Sequence, residues 1–223
     1  MNRLKLKDRT LPSYTRGEEL FHFISHTAGG GIALLGLVLL LVRAARHGSG
    51  AAVTASAIYG ASLVLLYTMS ALYHGLRPPT AKKVMQVLDH CTIFFLIGGT
   101  YTPVALCSIR SVSPGWGWSI FGVVWGFCLI ACVFTAIDLH KYAALAMVCY
   151  IGMGWCILLA AKQAIEAIPL PGLLWLLAGG VAYTVGAVLY GVGKKKRWMH
   201  ALFHLFVIAG SVLQYLCIFF YVI

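Results

Sequence analysis

Charged residues are scarce in this sequence of 223 residues, because Asp, Glu, Lys and Arg together make up only 10% of it. Hydrophobic residues make up 61%, and the mean hydropathy is +0.87. A soluble domain of this length needs far more polar surface. The composition therefore excludes an ordinary soluble protein and predicts an all-α membrane protein that crosses the bilayer several times.

The sequence also lacks any CxxC pair, although it contains seven cysteines. Most of these cysteines fall inside apolar runs. Paired cysteines at short spacing are typical of disulfide frameworks and zinc ribbons, and neither is expected here. We interpret the cysteines as small buried side chains.

Acidic residues are few, with 6 Asp and Glu against 17 Lys and Arg and a formal net charge of +11. In a soluble protein such an excess would favour nucleic-acid binding. In a membrane protein it is interpreted from the position of each charge relative to the apolar runs. We therefore expect no nucleic-acid partner.

Long apolar runs are what the sequence does contain. They predict a basic cytoplasmic segment over residues 1–19 and a domain of seven transmembrane helices over residues 20–223. No repeat is evident. The seven predicted spans cover about residues 20–42, 52–76, 84–108, 116–137, 142–161, 170–192 and 198–223.

The distribution of Lys and Arg predicts the orientation. With seven spans, 13 of these residues fall on the side of the N-terminus and 4 on the opposite side. The side with more positive charge is normally cytoplasmic. We expect a cytoplasmic N-terminus, an external C-terminus and a location in the cytoplasmic membrane. The basic cluster Lys194, Lys195, Lys196 and Arg197 is a candidate site for anionic lipid headgroups, although the orientation rule already explains it.

Two histidines stand in the last span, at His200 and His204. Four residues apart on a helix, they lie on one face and can grip one metal ion. Imidazole groups inside a bilayer are costly unless they have a partner or a function. The alternative is that neighbouring helices satisfy both of them.

Polar residues on two other spans lie at a similar depth. From the helical rise, His74 and His200 lie about 4.5 Å inward from the nearest basic residue, and Ser70, Asp89 and His204 lie about 9–10 Å inward. Three helices thus place polar groups in one slab near the predicted cytoplasmic face.

This slab predicts a zinc site with His74, His200 and His204 as ligands. Three histidines and an open fourth position are typical of catalytic zinc. Asp89 is a candidate base or a partner that fixes a ligand imidazole, and Ser70 is a candidate hydrogen-bond partner of the water or the substrate. The competing interpretation is a polar cluster that only joins the second, third and seventh helices.

Two further histidines, His22 and His26, repeat the four-residue spacing at the start of the first span. A second metal site there lacks a third ligand from another span, and His26 is a candidate outer partner of the first site. Their roles stay open. We expect His22→Ala and His140→Ala to leave the metal in place.

Four motifs together resemble the hemolysin III family, which is grouped with the progestin and adiponectin receptors and more distantly with the alkaline ceramidases. In chain order these motifs are Ser70-x-x-x-His74, Asp89-His90-Cys91, Gly99-Thr100-Tyr101-Thr102-Pro103 and His200-x-x-x-His204. The resemblance covers essentially the whole chain. It implies seven helices, an inside N-terminus and zinc held by His74, His200 and His204.

The resemblance also implies that Asp89 and Ser70 lie around the bound water. The stretch Glu18-Glu19…His26 looks like the first-helix signature of the family, except that His22 stands where an asparagine is expected.

Three functions remain open. The first is a zinc hydrolase that acts on an ester or amide of a membrane lipid. The second is a receptor-like regulator of membrane lipid state in which zinc is structural. The third is a transporter or cytolysin. The absence of a polar stripe along the length of any span is evidence against a pore. A membrane lipid is the expected substrate or ligand, and the oligomeric state is not predicted.

Overall fold

The computed structural model describes residues 6–193 and 196–223. Within these residues, seven helices are long and apolar enough to cross a membrane. In chain order they are α1 (Arg16–His47), α2 (Gly50–Gly75), α3 (Pro79–Val112), α4 (Pro114–Ile137), α5 (Ala143–Ala167), α6 (Leu170–Gly193) and α7 (Met199–Val222). The predicted seven-helix fold is confirmed.

The helices begin and end for local reasons. The Thr15 side chain accepts a hydrogen bond from the Glu18 backbone, and the Glu18 side chain binds back to Thr15, which forms a capping box at the start of α1. Pro79 and Pro114 occupy the first positions of α3 and α4, where a missing N–H costs nothing. Both α1 and α3 extend beyond the predicted apolar runs; α1 starts at its capping box, and α3 starts at Pro79 without a side-chain cap.

Irregular turns interrupt two of the helices. In α3 the hydrogen bonding changes to a π-helical pattern over Val104–Ile109, directly after Pro103, which has no N–H to donate. In α5 a 3-10 turn covers Cys156–Ala160. The Tyr101 hydroxyl accepts a hydrogen bond from the Ile157 backbone N–H at 2.8 Å and donates one to the Gly154 carbonyl at 2.9 Å. These bonds join the irregular part of α5 to α3.

The buried core combines apolar side chains with a few internal hydrogen bonds. The Tyr67 hydroxyl on α2 donates to the Ser211 hydroxyl on α7 at 2.8 Å, and the Tyr183 hydroxyl on α6 lies 2.7 Å from the same oxygen. Many large apolar side chains, including Leu35 and Val133, stay exposed at the periphery. Such a belt suits contact with lipid. All seven cysteines are free thiols, and four of them are buried, namely Cys91, Cys128, Cys156 and Cys217.

Three contacts bring the predicted cytoplasmic segments together at one end of the bundle. The Arg9 guanidinium is 5% exposed and donates to the Ile137 carbonyl at the end of α4. Lys82 pairs with Glu19 at 2.7 Å, and the Trp198 backbone N–H donates to Glu18 at 2.7 Å. The orientation of this end in the membrane stays a prediction.

Half of the predicted site for anionic lipid falls outside the described residues, because Lys194 and Lys195 lie in the gap. That site also stays a prediction.

Candidate metal centre

Four buried histidines meet near this end of the bundle. His74 comes from α2, His200 and His204 come from α7, and His22 comes from the second turn of α1. One ring nitrogen from each can be chosen so that all four lie within 4.8 Å of one another. We call these residues the four-histidine cluster.

The four rings form a nearly regular tetrahedron. The separations between their centroids range only from 4.5 to 5.4 Å. The Nε2 atoms of His200 and His204 lie 3.2 Å apart. Two nitrogens on a tetrahedral zinc lie about 3.3 Å apart, since each Zn–N bond is about 2.0–2.1 Å. The cluster therefore has the size and shape of a four-coordinate zinc site.

His74 is oriented by a carboxylate from the neighbouring helix. Its Nδ1 lies 2.7 Å from Glu19 Oε2, and its side chain is fully buried. A carboxylate only accepts hydrogen bonds, so Nδ1 carries the proton and Nε2 presents a lone pair to the cluster. A carboxylate behind the ligand histidine is the usual arrangement at zinc sites.

Several buried nitrogens in the cluster have no hydrogen-bond partner in the part of the chain that the structure describes. They are His22 Nδ1 and Nε2, His74 Nε2 and His204 Nδ1. An unsatisfied buried polar group typically costs about 1–3 kcal/mol. A metal ion bound among the rings would take up lone pairs that are otherwise unsatisfied. The residues present therefore fit a zinc ion.

His26 and Tyr14 flank the cluster without joining it. The His26 ring stacks on His204 with centroids 3.8 Å apart, and lone pairs in stacked ring planes do not converge on one ion. Tyr14 precedes α1, and its ring stacks on His200 at 5.0 Å and meets His22 edge-on at 5.1 Å. Burial raises the pKa of the Tyr14 hydroxyl well above its ordinary value, so this phenol stays neutral. It covers the cluster on the side of the N-terminal segment.

A cavity of about 150 Å³ adjoins the cluster. Its polar end is lined by Ser70, Asp89 and His200, and its apolar part extends along α3 and α7 as far as Val104 and Gln214. The Ser70 hydroxyl lies within hydrogen-bonding reach of the Asp89 carboxyl group. Asp89 thus borders the cavity beside the cluster and is not one of the four grouped residues.

The structure brings together all five residues predicted for the site. His74, His200 and His204 fall in one cluster, and Ser70 and Asp89 line the adjoining cavity. Two residues were missed as members of this site, namely His22 as a fourth nitrogen donor and Glu19 as the partner of His74. The spacing from Glu18 to His22 to His26 was a signal, but the sequence did not indicate that α1 packs against both α2 and α7.

Comparisons with known proteins agree on one family. A family model described as "Haemolysin-III related" matches residues 14–215. The chain is 36% identical over 206 residues to Hemolysin-3 of Bacillus cereus, and the aligned residues make up 92% of each chain. It is 32% identical over 208 residues to the Hemolysin-3 homolog of Bacillus subtilis (strain 168), which covers 93% of this chain and 96% of the relative.

A more distant relative is the human Monocyte to macrophage differentiation factor. It is 24% identical over 169 residues, which cover 72% of this chain and 67% of the relative. No solved structure matches the chain significantly. The relatives agree with the resemblance inferred from the sequence motifs.

Proposed function

We propose that this chain, which belongs to the hemolysin III family of multi-pass membrane proteins, is a zinc-dependent hydrolase of an ester or amide bond in a membrane lipid. The observation that carries the proposal is the cavity, whose polar end meets the four-histidine cluster and whose apolar part runs along the helices. A lipid has the same division into a polar carbonyl region and an apolar chain.

The lining of the cavity is as long as an acyl chain, and its volume of about 150 Å³ holds a segment of the chain about the size of benzene without movement of the helices. From Asp89 to Val104 the helical rise gives about 20 Å, and the stretch from His200 to Gln214 gives about the same. Half of the hydrocarbon core of a bilayer is about 15 Å thick. An acyl chain in the apolar part would therefore place its carbonyl near Ser70 and Asp89.

The three proposed ligand histidines would approach the metal from two helices. His200 and His204 present two nitrogens from one helix face, and His74 presents Nε2 because Glu19 holds the proton on Nδ1. When bound, zinc would polarise the carbonyl and acidify a water molecule.

Asp89 is suited to act as the general base. It would take a proton from the attacking water and return it to the leaving oxygen or nitrogen, which typically contributes a factor of about 10²–10⁴. Ser70 would hold the carboxylate in place through its hydroxyl group. Neither residue is needed to bind the metal, so zinc binding and turnover are separable in this proposal.

The experiment compares the wild type with Asp89→Asn, both loaded with zinc in native membrane lipids. The wild type should release fatty acid together with an alcohol or an amine, and Asp89→Asn should keep its zinc and lose most turnover. Zinc content is measured in the same samples. Equal release from both proteins, or no release above background, would replace the hydrolase by the second candidate.

The second candidate is a regulator in which the metal is structural. One observation favours it, namely that four histidines surround the centre, since closed sites with four protein ligands are usually structural. A cytolysin, which the name of the Bacillus cereus relative suggests, gains no support from a mostly apolar cavity.

A further inference from the structure

The four-histidine cluster contains one more imidazole than a catalytic zinc site normally uses. Catalytic zinc keeps three protein ligands and leaves the fourth position to water or substrate. The additional imidazole is that of His22, which is the one member of the four-histidine cluster that comes from α1. It is fully buried, and its ring lies 4.5–4.7 Å from each of the other three rings.

His22 is also the least constrained member of the cluster. Glu19 holds His74 by a hydrogen bond, and His200 and His204 stand on adjacent turns of one helix. Neither nitrogen of His22 has a hydrogen-bond partner among residues 6–193 and 196–223. The other rings around it, Tyr14 and Phe21, meet it edge-on. Packing therefore holds this side chain, and no hydrogen bond to the described residues takes up its lone pair.

Burial alone does not explain a histidine in this position. A packing histidine at a helix contact normally uses at least one ring nitrogen in a hydrogen bond. His90 shows that behaviour in the same bundle, because its Nδ1 lies 2.8 Å from the Gln86 carbonyl and its Nε2 lies 3.0 Å from the Tyr190 hydroxyl. Both His22 and His26 lack such contacts. His26 is stacked on His204, whereas His22 lies at the fourth corner of the tetrahedron.

We propose that His22 is a displaceable fourth ligand, which closes the metal centre in its resting state and leaves when a lipid headgroup binds. The inference rests on the proposed zinc site and concerns how access to that site is controlled. In the closed state four imidazoles occupy all tetrahedral positions, and none is left for water or substrate. A carbonyl or other oxygen ligand arriving from the cavity would take the place of His22.

X-ray absorption at the zinc edge tests the closed state, because imidazole ligands give distinct scattering beyond the first shell. The zinc-loaded wild type should show four imidazoles, and His22→Asn should show three with an added oxygen. His26→Asn is the matched control, since it removes a buried histidine one turn further along α1 and should retain four. Three imidazoles in the wild type, or four in His22→Asn, would overturn the proposal. The count in the wild type is decisive even if the variant does not fold.

A fatty hydroxamic acid tests displacement, because its head chelates zinc and its chain matches the apolar cavity. Added to the wild type at saturation, it should lower the count from four imidazoles to three. Retention of four would show that His22 is fixed and would overturn the proposal.

Neither readout depends on turnover, so the two proposals fail separately. Four imidazoles without hydrolysis would refute the hydrolase only. Three imidazoles in an active wild type would refute the role of His22 only.

Discussion

The contact between Glu19 and His74 gives a sharp test of the metal centre. Glu19 Oε2 lies 2.7 Å from His74 Nδ1, and Glu19 Oε1 lies 2.7 Å from Lys82 Nζ. The carboxylate therefore orients a ligand on one side and pairs with a cation on the other. We expect Glu19→Gln to weaken zinc binding, because a neutral amide polarises the imidazole less and has lost one of its two acceptor oxygens.

The size of the effect follows from comparable partners of ligand histidines. Their loss typically lowers metal affinity by about 10–100-fold, which corresponds to about 1.4–2.7 kcal/mol. Glu19→Gln should fall toward the lower end, since the remaining amide oxygen can still accept the Nδ1 proton. Glu19→Ala should fall toward the upper end, since it leaves that proton without an acceptor.

Competition with a chromophoric chelator measures the affinity of the purified protein for zinc. Lys82→Met is the matched control, because it removes the cation that pairs with Glu19 and leaves the contact with His74. It should weaken binding by less than about tenfold, because it keeps the carboxylate that holds the imidazole and removes only a long contact, at 3.4 Å, between Lys82 Nζ and the His74 backbone carbonyl. An affinity in Glu19→Ala equal to that of the wild type would refute the reasoning, because His74 would then be either not a ligand or not held by Glu19.

Three further predictions use simpler measurements. A reporter active only in the cytoplasm should be silent when fused to the C-terminus and active in the loop of residues 77–83; the reverse pattern would invert the orientation. Purified protein should hold about one zinc per chain, largely lost in His204→Ala and kept in His140→Ala, as metal analysis will show. In Gly29→Ala the new Cβ would lie 2.9 Å from the Tyr67 ring, so the free energy of unfolding should fall by about 1–3 kcal/mol. Gly31→Ala meets nothing within 4 Å and should unfold at the same denaturant concentration as the wild type or a higher one, since alanine favours a helix over glycine.

The seven-helix fold was predictable because its cause is local. Each span is long enough to cross the bilayer, and a lipid environment permits few alternatives for so many apolar residues. The helix ends were less predictable. α1 begins at Arg16 because Thr15 and Glu18 cap it, whereas the hydropathy pattern placed its start near residue 20.

The centre was predictable only in part, because spacing within one helix is visible in a sequence and contact between helices is not. The shared depth of His74, His200 and Asp89 indicated that they lie near one another, and the structure places them in the cluster or along the adjoining cavity; their role as a site stays a prediction. Depth did not show which carboxylate would accept the Nδ1 proton of His74 and so fix its tautomer. Asp89 was a candidate for that role, and the structure assigns it to Glu19, which approaches from α1.

The role of His22 was not predictable either, because the sequence does not show which helices α1 contacts. Without a neighbouring helix, His22 and His26 formed only a pair that lacked a third ligand. The structure places His22 in the cluster and stacks His26 on His204. The sequence predicts that His22→Ala leaves zinc in place. The proposal that His22 is a fourth ligand predicts weaker zinc binding in that variant, and the affinity for zinc distinguishes the two.

The first two turns of α1 contact both of the helices that carry the other histidines of the cluster. Glu18 accepts a hydrogen bond from the Trp198 backbone at the start of α7, Glu19 holds His74 of α2, and His22 lies between the two helices. Three contacts from five consecutive positions thus join α1 to both helices that carry the other ligands. A shift of this end of α1 would change the fourth position of the centre and the support of His74 together. The N-terminal segment also reaches the four-histidine cluster directly, because the Tyr14 ring stacks on His200.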